Sequence, residues 1–241
     1  FFLSILLHEM GHSLVARRFG IQVASITLFI FGGVAAIRRD PRRPREEFWI
    51  AIAGPAVSLF LCAFLYFFHL LISGDLGAFL SVSRFFAGMS GAAPKGLANM
   101  DPIRAMLITV TGWVAGINLA LVLFNMIPGF PLDGGRVLRS ILWAASGDYV
   151  NSTRRAALGG QIFAGALILL GALEMIFSGM GGLWFIFLGI FLFSAAQGSV
   201  AQIRIRQRLR EARALDLADP AIPAVSPAMS AQSLLELTWL R

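Results

Sequence analysis

The sequence predicts an α-helical polytopic membrane protein with a small membrane-associated β-hairpin. Three observations carry this expectation. The chain of 241 residues is 57% hydrophobic and 14% charged, with a mean hydropathy of +0.76, far from the usual soluble mix. Mostly apolar stretches recur along it, each near the ~20 residues that cross ~30 Å of hydrocarbon. The arginines, finally, collect in alternate connections between those stretches.

Spans are expected at about 1–18, 48–72, 104–126, 156–177 and 182–200. The first is apolar from Phe1, without an initiator Met or a basic leading region, so it reads as a span with an upstream one missing rather than as a signal peptide. The segment IQVASITLFIFGGVAAI, residues 21–37, is rich in β-branched and aromatic residues and is interrupted by Gly32-Gly33. It is too short for another span and predicts a hairpin or re-entrant strand pair. At membrane depth such backbone must be buried in protein or line a cavity. An exposed edge there suits pairing with an unwound peptide, the alternative being a structural cover. Residues 73–103 read as a Gly/Ala/Ser-rich outer loop without legible chemistry. The expected domains are a transmembrane unit over 1–200, a basic juxtamembrane linker over 201–219 and the start of a truncated soluble domain over 220–241.

Charge sets the expected orientation. Arg17, Arg18, Arg38, Arg39, Arg42, Arg43 and Arg45 lie between the first two spans, and Arg136, Arg139, Arg154 and Arg155 between the third and fourth. Arg204, Arg206, Arg208, Arg210 and Arg213 follow the fifth. The positive-inside rule makes these connections and the C-terminal tail cytoplasmic. The net charge of +7 then reflects topology and contact with anionic lipid. Nucleic-acid binding is not expected, because no stacking aromatics interleave the basic arm RRDPRRPREE. The single cysteine, Cys62, lies mid-span and reads as a core residue.

The chemistry begins in the first span, at His8-Glu9-Met10-Gly11-His12. Two histidines four apart share one helix face, so both imidazoles can close on one zinc ion while Glu9 reaches its water. Charged side chains in hydrocarbon cost roughly 2.5–3.5 kcal/mol each on insertion scales, so such a trio persists mainly where it has a task. Catalytic zinc takes three protein ligands and leaves one position open. With His69 as the only other histidine, an acid is the expected third ligand. Asp133, in FNMIPGFPLDGGRVLRS, fits best by depth and side. Pro128 and Pro131 would stop the preceding helix, and Gly134 and Gly135 would allow the tight backbone approach and unusual dihedrals that suit a carboxylate turned back into the membrane. Glu9 is expected to take a proton from the attacking water and return it to the leaving amine. Asn125 is the candidate amide for an oxyanion, or else a helix-to-helix hydrogen bonder, and Asn118 is a weaker candidate. His69 reads as a cavity-facing or interfacial residue rather than a ligand, and Glu174 as an interfacial or helix-packing one.

HEMGH in one span together with NMIPGFPLDGG after another resembles the site-2 protease family of intramembrane zinc metalloproteases. The resemblance covers about residues 1–140, the expected catalytic core. It implies His8, His12 and Asp133 as ligands of one zinc per chain, Glu9 as base and Asn125 as a substrate contact. Strands bearing Gly32 and Gly33 would help to receive substrate. AGPAVSLF resembles a third signature, in which Gly54, Pro55 and Ser58 would start a helix packed on the core. The implied substrates are single-span membrane proteins, cut in or near the bilayer on the cytoplasmic side in a prokaryotic cell membrane. The additional spans and AVSPAMSAQSLLEL resemble the branch with C-terminal CBS domains, which implies nucleotide sensing and pairing into homodimers. Two other classes compete. A metal transporter would repeat its sites along a path, and a non-catalytic scaffold would have little use for Glu9.

Overall fold

A computed structural model describes residues 2–29, 32–37, 39–74, 101–177 and 180–211. The chain forms two compact units, Phe1–Ala201 and Gln202–Arg241, and the fold below is that of the first. In chain order the elements are α1 (Phe2–Arg18), β1 (Val23–Phe29), β2 (Gly32–Ile37), α2 (Pro44–Ser73), α3 (Pro102–Asn125), α4 (Asp133–Ser146), α5 (Tyr149–Phe177) and α6, which begins at Gly182. The architecture is helical and polytopic with one antiparallel hairpin, as the sequence predicts.

Among the described residues, four helices are long and apolar enough to cross a membrane: α2, α3, α5 and Gly182–Ile203 of α6. α1, expected as a fifth, has 17 residues and is not among them. Hydropathy also misplaces several helix ends, for a physical reason. It marks the apolar stretch, whereas a helix continues wherever its backbone stays satisfied. α2 therefore starts at Pro44, with proline in the first turn and Glu46 and Glu47 at the positive end of the helix dipole. It stops at Gly74, whose φ of 71° supplies the left-handed cap. α5 starts at Tyr149 rather than near 156, carrying two polar turns behind an Asp148 cap. α4 is a separate short helix that the span pattern did not reveal.

The hairpin pairs Val23 with Ile37 and runs to Phe29 opposite Gly32, with an irregularity between Val23 and Ser25. Gly32 and Gly33 do not interrupt it. They open β2, paired with Phe29 and Leu28. Most of the expected outer loop over 73–103 lies outside the described residues, as does the expected CBS-like segment over 220–241; at the loop's ends, Ser73 still belongs to α2 and Pro102 already opens α3.

α2 is the hub, packing against α1, α3 and α4, while both strands lie against α1. Small residues permit close approach, as they do between helices in lipid. A Cβ on Gly11 would stand 2.8 Å from both the Ala53 carbonyl oxygen and Val57 Cγ2. Pro55 sits inside α2, eleven residues past Pro44, so Gly54, Pro55 and Ser58 lie mid-helix rather than at a helix start.

Candidate metal centre

One helix supplies the histidines and its neighbour aims them. On α1, His8 and His12 stand a turn apart, each only 4% exposed. His12 Nδ1 donates to the Ile50 carbonyl of α2 at 2.6 Å. A carbonyl only accepts, so the proton of neutral His12 sits on Nδ1 and the Nε2 lone pair is free. His8 Nδ1 lies 2.9 Å from the Ser58 hydroxyl, also on α2, which accepts from His8 in the same tautomer. Both Nε2 atoms then face inward, 3.2 Å apart.

Asp133 completes the group. It is the first residue of α4, and its Oδ2 lies 3.1 Å from His8 Nε2 and 3.1 Å from His12 Nε2. Its Oδ1 faces Arg136 Nη1 at 3.7 Å. Asp133 thus lies beside both histidines, and not through unusual glycine dihedrals, since the positive-φ glycines among the described residues are Gly20, Gly74 and Gly147. Gly134 and Gly135 serve the other expectation, tight backbone approach. A Cβ on Gly134 would strike the Met126 and Ile127 carbonyls, and one on Gly135 would strike Gly129 and Phe130. Those contacts seat α4 directly against the loop that ends α3.

The donor set fits a cation. Two imidazole lone pairs and an anionic oxygen converge, all within 4.8 Å of one another. The Ile50 carbonyl fixes the His12 tautomer, and with His8 protonated on Nδ1 as well, the three present lone pairs to each other with no proton to share. Two nitrogens and one carboxylate oxygen match the ligand chemistry of catalytic zinc. Gly54 of α2 forms the floor: a Cβ there would run into the His12 ring and come within 2.7 Å of His8 Nε2.

Glu9 follows His8 and is half-buried, within electrostatic range of His12, His8, Asp133 and Arg136. Among the described residues its carboxylate forms no hydrogen bond, so it is free for a proton-transfer role. Asn125 ends α3, half-buried, and its amide forms no hydrogen bond with a described residue. The helix-to-helix role falls to Asn118 instead. It is fully buried and donates to Ser4 Oγ of α1 at 3.0 Å and to the Val114 carbonyl at 2.8 Å. His69, expected to face a cavity or the interface, instead packs between helices: it donates from Nδ1 to the Ile108 carbonyl of α3 at 2.9 Å and stacks on Tyr66. Cys62 is a buried free thiol.

Three contributions are not legible in the sequence. The position of Arg136 speaks for topology alone. The Ile50 carbonyl leaves no trace in a side-chain pattern. Ser58 belongs to AGPAVSLF, but nothing in its spacing points to His8.

A family model described as peptidase family M50 matches residues 1–170. The chain belongs to peptidase family M50. Within that family it is 38% identical to the putative zinc metalloprotease Rip3 of Mycobacterium tuberculosis, over 93% of this chain and 50% of that protein. It is 37% identical to a putative zinc metalloprotease of Synechocystis, over 93% of this chain and 52% of that one. A zinc metalloprotease of Methanocaldococcus jannaschii is 32% identical over 98% of this chain and 58% of its own length. The chain thus spans about half the length of the curated relatives it matches. Among solved structures it is similar to the site-2 protease from Methanocaldococcus jannaschii, with a TM-score of 0.52 and 31% identity, over 83% of this chain and 74% of that one. As an M50 member with four helices of membrane-crossing length, it is an integral membrane protein.

Proposed function

We propose that the chain is the core of a zinc-dependent intramembrane endopeptidase that cuts single-span membrane proteins near the cytoplasmic side. The observation that carries this reading is the convergence of His8, His12 and Asp133 on one point beside Glu9, from helices α1 and α4. The M50 family match and the names of the relatives support the same chemistry.

His8 Nε2, His12 Nε2 and Asp133 Oδ2 would hold one zinc ion, with Ile50 and Ser58 fixing the imidazoles from behind. Zinc in such a site supplies Lewis-acid activation of water and polarisation of the scissile carbonyl. Glu9 takes the proton of the attacking water and delivers it to the leaving nitrogen. Arg136 holds Oδ1 of Asp133, which leaves Oδ2 turned to the histidines. The half-buried Asn125 amide, free of described partners, contacts the substrate backbone in this reading. The hairpin gives an unwound segment a strand edge to pair with, and Gly32 and Gly33 keep part of that edge free of side chains. Cytoplasmic basic connections, a prokaryotic cell membrane, nucleotide sensing by a C-terminal CBS region and homodimer formation complete the proposal. They rest on arginine placement and on the family resemblance alone.

Glu9→Gln tests the assignment. It keeps the size of the side chain and lies outside the three-ligand set, so the variant should bind one zinc per chain like the wild type and cleave no single-span substrate. A Glu9→Gln protein that still cleaves would remove the protease reading. If it instead moves zinc into liposomes as the wild type does, transport is the function.

A further inference from the structure

Beyond the Gly11 contact, α1 and α2 part into a groove of about 680 Å³. Leu14 and Val15 of α1 and Ala53, Ala56 and Val57 of α2 line it, and Arg17 and Arg18 stand at the end of α1. The separation along α1 from Gly11 to Arg18 is about 10 Å at ~1.5 Å per residue. The groove is therefore apolar at depth and basic at its mouth. Neither arginine has an acidic partner among the described residues. Both side chains are exposed, as is Leu14, so the groove opens outward from the helix pair.

That ordering of chemistry by depth matches an anionic glycerophospholipid. We infer that the groove holds one, with its phosphate between Arg17 and Arg18 and an acyl chain along Leu14, Val15, Ala56 and Val57. A soluble anion would use the guanidinium groups and leave the apolar walls bare. A zwitterionic lipid would fill the walls but bring no net charge to the two arginines. The position gives the lipid a consequence. Gly11 and Ala53 in the groove immediately adjoin His12 and Gly54 of the metal centre, so a bound lipid braces the two helices that aim the histidines. This inference rests on the membrane assignment and is independent of protease activity.

The test is native mass spectrometry of the full chain released from phosphatidylcholine nanodiscs doped with phosphatidylglycerol. Wild type should retain one phosphatidylglycerol, and Arg17→Gln/Arg18→Gln should retain at least about tenfold less. Ala56→Phe keeps both charges but fills the groove at an exposed position, and should also lose the lipid. Excess inorganic phosphate should leave the lipid bound. Zinc content checks that each variant keeps its metal centre. Retention by the double variant equal to wild type would overturn the inference, as would equal retention of phosphatidylcholine. Undiminished retention by Ala56→Phe would reduce the effect to surface attraction and overturn it too, and displacement by phosphate would identify an anion site without a lipid.

Discussion

Arg139 of α4 clasps Glu47 of α2, its Nε lying 2.8 Å from Oε1 of a carboxylate that is 0% exposed. Nη2 bonds the same oxygen, Nη1 reaches Thr153 Oγ1 of α5, and the guanidinium lies 4.8 Å from the ring centres of both Phe130 and Tyr149. This clasp ties the helix that carries Asp133 to the helix that orients both histidines. Arg139→Ala would strand a buried carboxylate, a class of change that costs about 3–5 kcal/mol. The double variant Glu47→Leu/Arg139→Met should recover most of the loss, because apolar replacement of a buried pair is often neutral. Equilibrium unfolding in detergent checks both, and an Arg139→Ala protein as stable as wild type would contradict the account.

Gly54 is required for space, not for its dihedrals. Gly54→Ala puts a methyl group where the His12 ring and His8 Nε2 already lie. Zinc content should fall well below stoichiometric in this variant while far-ultraviolet circular dichroism stays helical. Full zinc occupancy in Gly54→Ala would mean that the floor of the site lies elsewhere.

Ser58→Ala removes the partner of His8 Nδ1. Loss of such an outer hydrogen bond typically weakens metal affinity by about 10–100-fold. Chelator competition measures this directly, and Ser58→Thr, which keeps the hydroxyl, should restore much of it. Equal affinity in wild type and Ser58→Ala would show that Ser58 does not orient the imidazole.

At the start of α5, the backbone N–H of Asn151 donates to Asp148 and holds its carboxyl below the ordinary value of 3.8, with the Asn151 side chain donating as well. A depressed folded-state pKa means that the cap is fully present above the ordinary carboxylate range and is lost as pH falls through the lowered value. Hydrogen-exchange protection at the first α5 amides, taken relative to the intrinsic rate at each pH, should therefore fall only at strongly acidic pH. In Asp148→Ala protection should be low throughout, and wild-type protection that does not change with pH would contradict the capping role.

How much of this was legible in the sequence follows from what each signal measures. Residues His8 and His12 were readable because helix geometry alone places positions four apart together. Asp133 was readable because few acids fall at membrane depth. Helix ends at Pro44 and Tyr149 were missed because hydropathy reports hydrocarbon and not hydrogen bonding. The separate helix α4 was hidden by the reading of its Gly134-Gly135 start as a turn. Asn118, and not Asn125, formed the buried amide bridge, a choice set by which face of α3 meets Ser4. The Glu47–Arg139 clasp joins residues 92 apart and leaves no local pattern at all.

The most direct measurement is cleavage of a tagged single-span substrate by the purified chain in liposomes, with the product mapped by mass spectrometry, before and after zinc chelation. The account predicts a cut near the cytoplasmic face that stops on chelation, returns on adding zinc and is absent in His8→Ala and Asp133→Ala. Cleavage that survives chelation, or that persists when either ligand is removed, would contradict it.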